Sequence, residues 1–246
     1  MPEGPSIIIL KEKIIQFKGK KILAVNGYTD VDCSELENKT ITDIKTFGKN
    51  LFICFKKVTL HIHLMLFGSY IINKHNSRRI KLGLEFNDGN INFYACRIEL
   101  LHEDLDELYD WSADIMNDKW SAPKARKKLK AIPETIVADA LMDQHIFAGV
   151  GNIIKNEAMW RARIHPLAKV GDLPSKKINE LIKEARIYSF EFLEQKKKNT
   201  LRKHWCVYSK KTCPRDKIPL HKKYLGKTKR RTFYCDVCQL KYDGGE

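Results

Sequence analysis

Nowhere does the chain carry an apolar run long enough to cross a bilayer; the longest early one, Ile7 to Leu10, meets Lys11, Glu12 and Lys13 at once. The same segment lacks the order of a secretion signal, because its charges follow the apolar residues instead of preceding them. No even cysteine framework exists either. Seven cysteines, an odd number without an export signal, argue against a disulfide framework and for a reducing, intracellular setting. No unit of solenoid length repeats. Acidic residues are the scarce charge: 45 Lys and Arg stand against 30 Asp and Glu, leaving +15 over 246 residues. Such a surplus favours a polyanionic partner, either nucleic acid or an acidic membrane surface.

What is present divides into textures. Ile7, Leu10, Ile14 and Phe17 recur at helical spacing. From about residue 20 to 102 the chain breaks into short β-rich runs, such as LFICFKKVTLHIHL and NINFYACRIEL. Turn signals at Phe47-Gly48-Lys49-Asn50 and Asn87-Asp88-Gly89-Asn90 punctuate them. These strands predict two packed antiparallel sheets or a barrel. After HEDLDELYDW the β texture stops. The basic stretch 119–130 reads as a linker or the opening of a second domain, and PETIVADALMDQHIF reads as a helix with Pro133 near its start. Then come the turn Gly149-Val150-Gly151-Asn152, a second helix ended by His165-Pro166, and a third over 175–197. The expected fold is α+β in two domains: a β-sandwich at 1–118 and a helical domain at 119–204, which carries a metal-bound hairpin at 205–246.

Cys235-Asp236-Val237-Cys238 offers two thiolates from one turn. Cys213 has Asp216, not a cysteine, at the matching spacing, and His221 is the next soft ligand. Cys213, His221, Cys235 and Cys238 would close a tetrahedral structural zinc site, with Cys206 and Asp216 as alternative fourth ligands. Cys33, Cys54 and Cys96 read as packed thiols of β segments. Between the metal ligands stand Lys222, Lys223, Lys227, Lys229, Arg230 and Arg231, a run dense enough to meet phosphates. The glycines before Asn152 permit a tight turn into a helix N-terminus, where backbone N–H groups favour an anion.

Pro2-Glu3-Gly4-Pro5, LMDQHIFAGVGNIIKNEAMWRARIHP and RRTFYCDVCQ occur in this order, and the chain thereby resembles the Fpg/Nei family of DNA glycosylases, named for formamidopyrimidine-DNA glycosylase and endonuclease VIII. The resemblance implies a β-sandwich domain, a helix–two-turn–helix domain and a zinc finger, with DNA crossing between the domains. It implies a bifunctional glycosylase and AP lyase of base excision repair. Pro2, freed by loss of Met1, would be the nucleophile, since an α-amino group titrates near about pH 8. With Met1 in place, Pro2 has only an amide nitrogen. Glu3 would be the acid/base, Lys49 the lysine of the β domain, Asn152 a phosphate ligand, and Arg230 the finger-tip arginine. The lesion base must leave the duplex. Leu66 of HLMLFG, flanked by Met65 and Phe67, would fill the gap, and CRIEL supplies only Arg97 and Ile98 from the later loop. That departure, and the short NTLRKHWCVYSKK before Cys213, favour the Nei side of the family and oxidised pyrimidines. One structural zinc per chain, a monomer, and a DNA-containing compartment (the cytoplasm of a cell without a nucleus) complete the expectation. The rivals are a non-catalytic damage-binding protein and an RNA-binding module.

Overall fold

Alternation along the β-rich runs sends every second side chain inward, and this builds the first of two units. The computed structural model describes residues 2–74 and 76–242, and its contacts divide into a unit ending at Tyr109 and one starting at Asp110. In the first, helix α1 (Gly4–Ile14) precedes β1 (Ala24–Asn26), β2 (Asp43–Phe47), β3 (Asn50–Cys54) and β4 (Thr59–His63). Strands β5 (Ser69–Ile72), β6 (Leu82–Phe86), β7 (Gly89–Tyr94) and β8 (Arg97–Leu101) follow, then the single turn α2 (Leu105–Leu108). Two antiparallel four-stranded sheets form, ordered β1-β6-β7-β5 and β2-β3-β4-β8. Their inner faces share one core: Leu51, Ile53, Leu60 and Ile62 from one sheet meet Leu82, Leu84, Ile91 and Phe93 from the other, with Ile7, Leu10 and Ile14 of α1 packed among them. This is the expected sandwich, with α1 lying against β2 and β3.

The register gives β3, β4 and β8 a second, polar face. Asn50 pairs with His63, Phe52 with His61, His61 with Glu99 and His63 with Arg97. Between β2 and β3 only Gly48 and Lys49 turn the chain, because Phe47 pairs with Asn50. Gly48 has φ +55° at the first central position, where a hairpin turn of the II′ kind takes glycine.

In the second unit, α3 (Ala122–Lys130) is followed by α4 (Val137–Ala140), α5 (Asn152–Arg161), α6 (Ser175–Lys197) and the hairpin β9 (His221–Leu225) and β10 (Arg230–Tyr234). Helix α5 packs on α6 and β10, and α3 on α6. Three readings of the sequence change here. The basic stretch at 119–130 is largely helix α3, because Ser121 caps it by accepting from the Lys124 N–H (3.4 Å) and Pro123 opens its first turn. The helix expected from Pro133 shrinks to α4. Its backbone is engaged elsewhere: the N–H groups of Val137 and Ala138 donate to Ala168 and Pro166 carbonyls, and the Asp143 side chain accepts from His145 N–H (2.8 Å) to form a turn. Finally, residues 110–118 join the helical unit: Ala148 N–H donates to Ala113 O (2.8 Å), Ser121 N–H to Ser112 O (3.1 Å), and Lys128 pairs with Asp110 at 2.9 Å. Among the described residues, no helix is long and apolar enough to cross a membrane.

Candidate active site and DNA-contacting elements

In the first unit, Glu3 stands at the N-cap of α1 and is fully buried, while Pro2 is half-buried beside it. The Glu3 N–H donates to Ser6 Oγ at 3.5 Å, and Ser6 N–H donates back to Glu3 O at 2.8 Å. The terminus is thus pinned by the first helical turn instead of fraying; Met1 lies outside the described residues. Lys49 occupies the tip of the β2–β3 turn. It faces basic neighbours: burial first, then the charges of His61, Lys49 and Arg97, hold His63 below the ordinary imidazole range. His63 Nδ1 in turn accepts from Met65 N–H (3.1 Å), capping the bend that follows β4.

That bend carries the gap-filling candidates. Met65, Leu66 and Phe67 are exposed by 51%, 41% and 81%. Leu66 is therefore accessible, but Phe67 is the most accessible of the three. Gly68 closes the bend with its N–H on Leu64 O (2.7 Å), and a Cβ there would come within 2.1 Å of that oxygen. Arg97 is exposed on β8, its Nε donating to Glu99 Oε1 at 2.9 Å.

In the second unit, α5 grips the hairpin. Asn152, at the helix start, is 4% exposed, and its Nδ2 donates to Arg231 O (2.9 Å). One turn on, the Asn156 side chain donates to Asn152 O (2.7 Å) and accepts from Phe233 N–H (2.6 Å). Lys155, almost fully buried, donates to Thr232 Oγ1 (2.9 Å), whose hydroxyl donates to Arg230 O (3.1 Å). The buried Glu157 carboxylate accepts from the N–H groups of Cys206 (3.0 Å), Val207 (3.0 Å) and Tyr208 (2.8 Å). Burial pushes its pKa above the ordinary carboxylate value, against the pull of those three donors. Lys155, Asn156 and Glu157 were not singled out from the sequence. The available signal was three consecutive polar residues in a helix whose neighbours on every side are apolar, so that at least one had to point inward.

At the base of the hairpin, Cys213, Asp216, Cys235 and Cys238 bring three sulfurs and a carboxylate oxygen within 4.8 Å of one another. Asp216 Oδ2 lies 3.3 Å from Cys213 Sγ and 3.1 Å from Cys235 Sγ. His221, expected as the fourth ligand, is not in this group. It begins β9 opposite Tyr234, stacks on that ring (5.1 Å between centroids) and points Nε2 at Asp236 Oδ2 (2.6 Å). The fourth group of the cluster is the Asp216 carboxylate, which the Cys-x-x-Asp turn brings beside the three sulfurs. Three thiolates and a carboxylate suit zinc and form a closed set of four. Supporting contacts surround them: Cys235 N–H donates to Gln239 Oε1 (3.0 Å), and the Arg215 guanidinium lies 3.7 Å from the Trp160 ring centroid.

Comparison with known proteins bears on all of these elements. Residues 1–97 match the formamidopyrimidine-DNA glycosylase N-terminal domain, and residues 112–201 match the formamidopyrimidine-DNA glycosylase H2TH domain. Endonuclease 8-like 3 of Xenopus laevis is 27% identical over 242 residues, covering 93% of this chain and 39% of that protein. An Endonuclease 8-like protein of Acanthamoeba polyphaga mimivirus is 28% identical over 284 residues, covering 98% of this chain and all (100%) of the relative. The crystal structure of Lactococcus lactis formamidopyrimidine DNA glycosylase, non-covalently bound to DNA containing an AP site, superposes with a TM-score of 0.86 at 22% identity over 97% of this chain and 100% of that one. The chain thus spans 39% of the length of the Xenopus relative and the full length (100%) of the viral one.

Proposed function

The chain belongs to the Fpg/Nei family of DNA glycosylases, and from that premise we propose that it excises an oxidised base, a pyrimidine by preference, and then cleaves the strand as an AP lyase. The observation that carries the reading is that one unit presents Pro2 and Glu3 at the capped start of α1 and Lys49 at a glycine-set hairpin tip.

Freed of Met1, the Pro2 nitrogen attacks C1′ of the flipped-out nucleotide while the bond from C1′ to the base breaks. Glu3 protonates the ring oxygen as the sugar opens. The secondary amine gives up its proton to solvent and leaves a cationic iminium. This accepts electrons as Glu3 or water takes a C2′ proton and the C3′–O bond breaks, releasing the 3′ phosphate. Loss of the C4′ proton in a second elimination breaks C5′–O and releases the 5′ phosphate. Lys49 holds a phosphate beside the lesion or protonates the departing group. Arg230 and the start of α5 at Asn152 grip the backbone on the other unit, and Leu66, with Arg97, occupies the vacated space. The Asn152 amide, bonded to Arg231 O, supports the phosphate contact by fixing the hairpin as well as by touching DNA. In functional terms the parts are a catalytic sandwich, a helical domain that includes 110–118, and the finger.

Cys213, Asp216, Cys235 and Cys238 would hold zinc. When bound, the ion supplies folding energy to the hairpin and no chemistry. Damaged DNA is the partner, met by a monomer wherever the cell keeps its DNA.

Borohydride reduction tests the reading. The protein without Met1 is expected to become covalently trapped on abasic DNA, and one additional residue before Pro2 to abolish trapping. Failure of the trimmed protein to trap would overturn the lyase assignment, leaving a non-catalytic damage-binding role.

A further inference from the structure

One polar chain runs across the outer face of β3, β4 and β8. His61, 9% exposed, places Nδ1 3.1 Å from Glu99 Oε2 and Nε2 2.9 Å from Asn50 Oδ1. Asn50 Nδ2 donates to Phe47 O at 3.1 Å, across the two-residue turn that carries Lys49. At the other end Arg97 Nε donates to Glu99 Oε1 (2.9 Å).

The protons in this chain can be counted. The Phe47 carbonyl only accepts, so it fixes the Asn50 amide with nitrogen toward the turn and oxygen toward the ring. Glu99 is a carboxylate: burial would raise its pKa, but Arg97 and then His61 outweigh that and hold it below the ordinary value. Both ring nitrogens of His61 therefore face acceptors, and both bonds exist together only when both nitrogens carry hydrogen. A neutral ring keeps the charge-assisted bond to Glu99 and turns a lone pair toward Asn50 Oδ1. Asn50 then loses its support, and the brace across the turn weakens.

We propose that His61 is a positioning residue for Lys49, acting through Asn50 in its doubly protonated form, so that the Lys49 turn is best aligned on the acid side and loosens as pH rises. This rests on the reading of Lys49 given above.

The neighbouring charges set the window. From β8 the ring meets Glu99 and Arg97; from β3, Asn50 and the Phe52 ring (5.2 Å between centroids); on its own strand stands His63, with Lys49 at the turn and Lys45 opposite Phe52 on β2. Burial is the largest influence and moves His61 below the imidazole value of 6.5, with Glu99 opposing it and Arg97 adding to it. Because the brace needs hydrogen on both ring nitrogens, it forms only as pH falls through the His61 midpoint, which burial keeps below 6.5.

Nitrogen-15 spectra of histidine-labelled protein, with Lys49 Cε and the Asn50 amide followed in parallel, test this without any substrate. The Asn50 and Lys49 signals are expected to move with the His61 midpoint, and Glu99→Gln, which removes the charge while keeping the shape, to lower that midpoint. Asn50 and Lys49 signals indifferent to His61 titration would overturn the proposal. On abasic duplex at saturating protein, the ratio of wild-type to His61→Gln single-turnover rates is expected to be about tenfold near pH 5.5 and to approach one near pH 8. The ratio cancels the titration of Pro2, and Asn50→Ala is expected to add no further loss to His61→Gln. A ratio constant with pH would leave His61 a packing residue and sink the proposal. If wild-type protein traps no abasic DNA, the enzymatic reading fails while the spectra still decide the fate of His61.

Discussion

At the scale of single residues, Asp216 stands out in the hairpin because it brings a carboxylate in among three cysteine sulfurs. A carboxylate among three thiolates is a harder donor than the imidazole that spacing alone nominated, and its oxygen reaches two sulfurs at once. Asp216→Ala is expected to lose bound zinc, Asp216→Cys to retain it more tightly, and His221→Ala to keep one ion per chain. Metal content by atomic absorption decides, and zinc lost from the His221 variant would contradict the geometry. The sequence offered both residues as candidates. Linear spacing favoured the softer ligand and could not see that β9 turns His221 toward Tyr234 and Asp236. Pro2, Glu3 and Lys49, by contrast, sit at a helix start and a hairpin tip, where local sequence dictates the backbone.

At the scale of elements, caps and turns explain what pattern reading found and what it missed. The alternation in β3 and β4 announced a strand pair because each inward residue is apolar. The reach of PETIVADALMDQHIF did not survive, because competing partners for its backbone lie far along the chain, at Pro166 and Ala168, where no local pattern points. Helix α3 escaped notice because lysines and arginines on most of its surface mask the buried pair Ala125 and Leu129. Its approach is organised by Asp110, whose carboxylate accepts from Ser112 and from Lys128. These contacts, Ser112 first, hold Asp110 at about 2, below its ordinary 3.8. A depressed carboxylate pKa stabilises the fold above pH 3.8 and loses that contribution as pH falls toward about 2. Asp110→Asn is accordingly expected to lower the melting temperature at neutral pH, where the contribution is fully present, and to converge with the wild type as pH falls toward about 2, so that its acid limb is flatter over that interval. An unaltered acid limb would mean the contact does not persist in solution.

At the scale of the molecule, two units own separate cores. Ile7 through Phe93 close one, whereas Trp160, Val207 and Phe233 pack around the cysteines in the other. Much of the second arrangement rests on polar contacts between α5 and a segment more than seventy residues away, including Asn156 with Phe233 and Lys155 with Thr232. Composition reported a basic chain suited to a polyanionic partner but could not report such pairings, since a buried lysine and a surface lysine read alike. Chelation of zinc is expected to lower the melting temperature of the second unit by several degrees and to open the hairpin amides to exchange, while the sandwich amides keep their protection. Equal loss of protection in both units would show that the metal stabilises the whole chain cooperatively.

Lys155 carries a consequence for ancestry and engineering. Its ammonium ends on Thr232, and Thr232 ends on the carbonyl of Arg230, so the arginine at the hairpin tip inherits its place from a helix. A finger transplanted from a relative would arrive without its matching half. Substitutions on α5 and β10 are expected to be coupled, so a transplant is expected to need helix and hairpin as one piece.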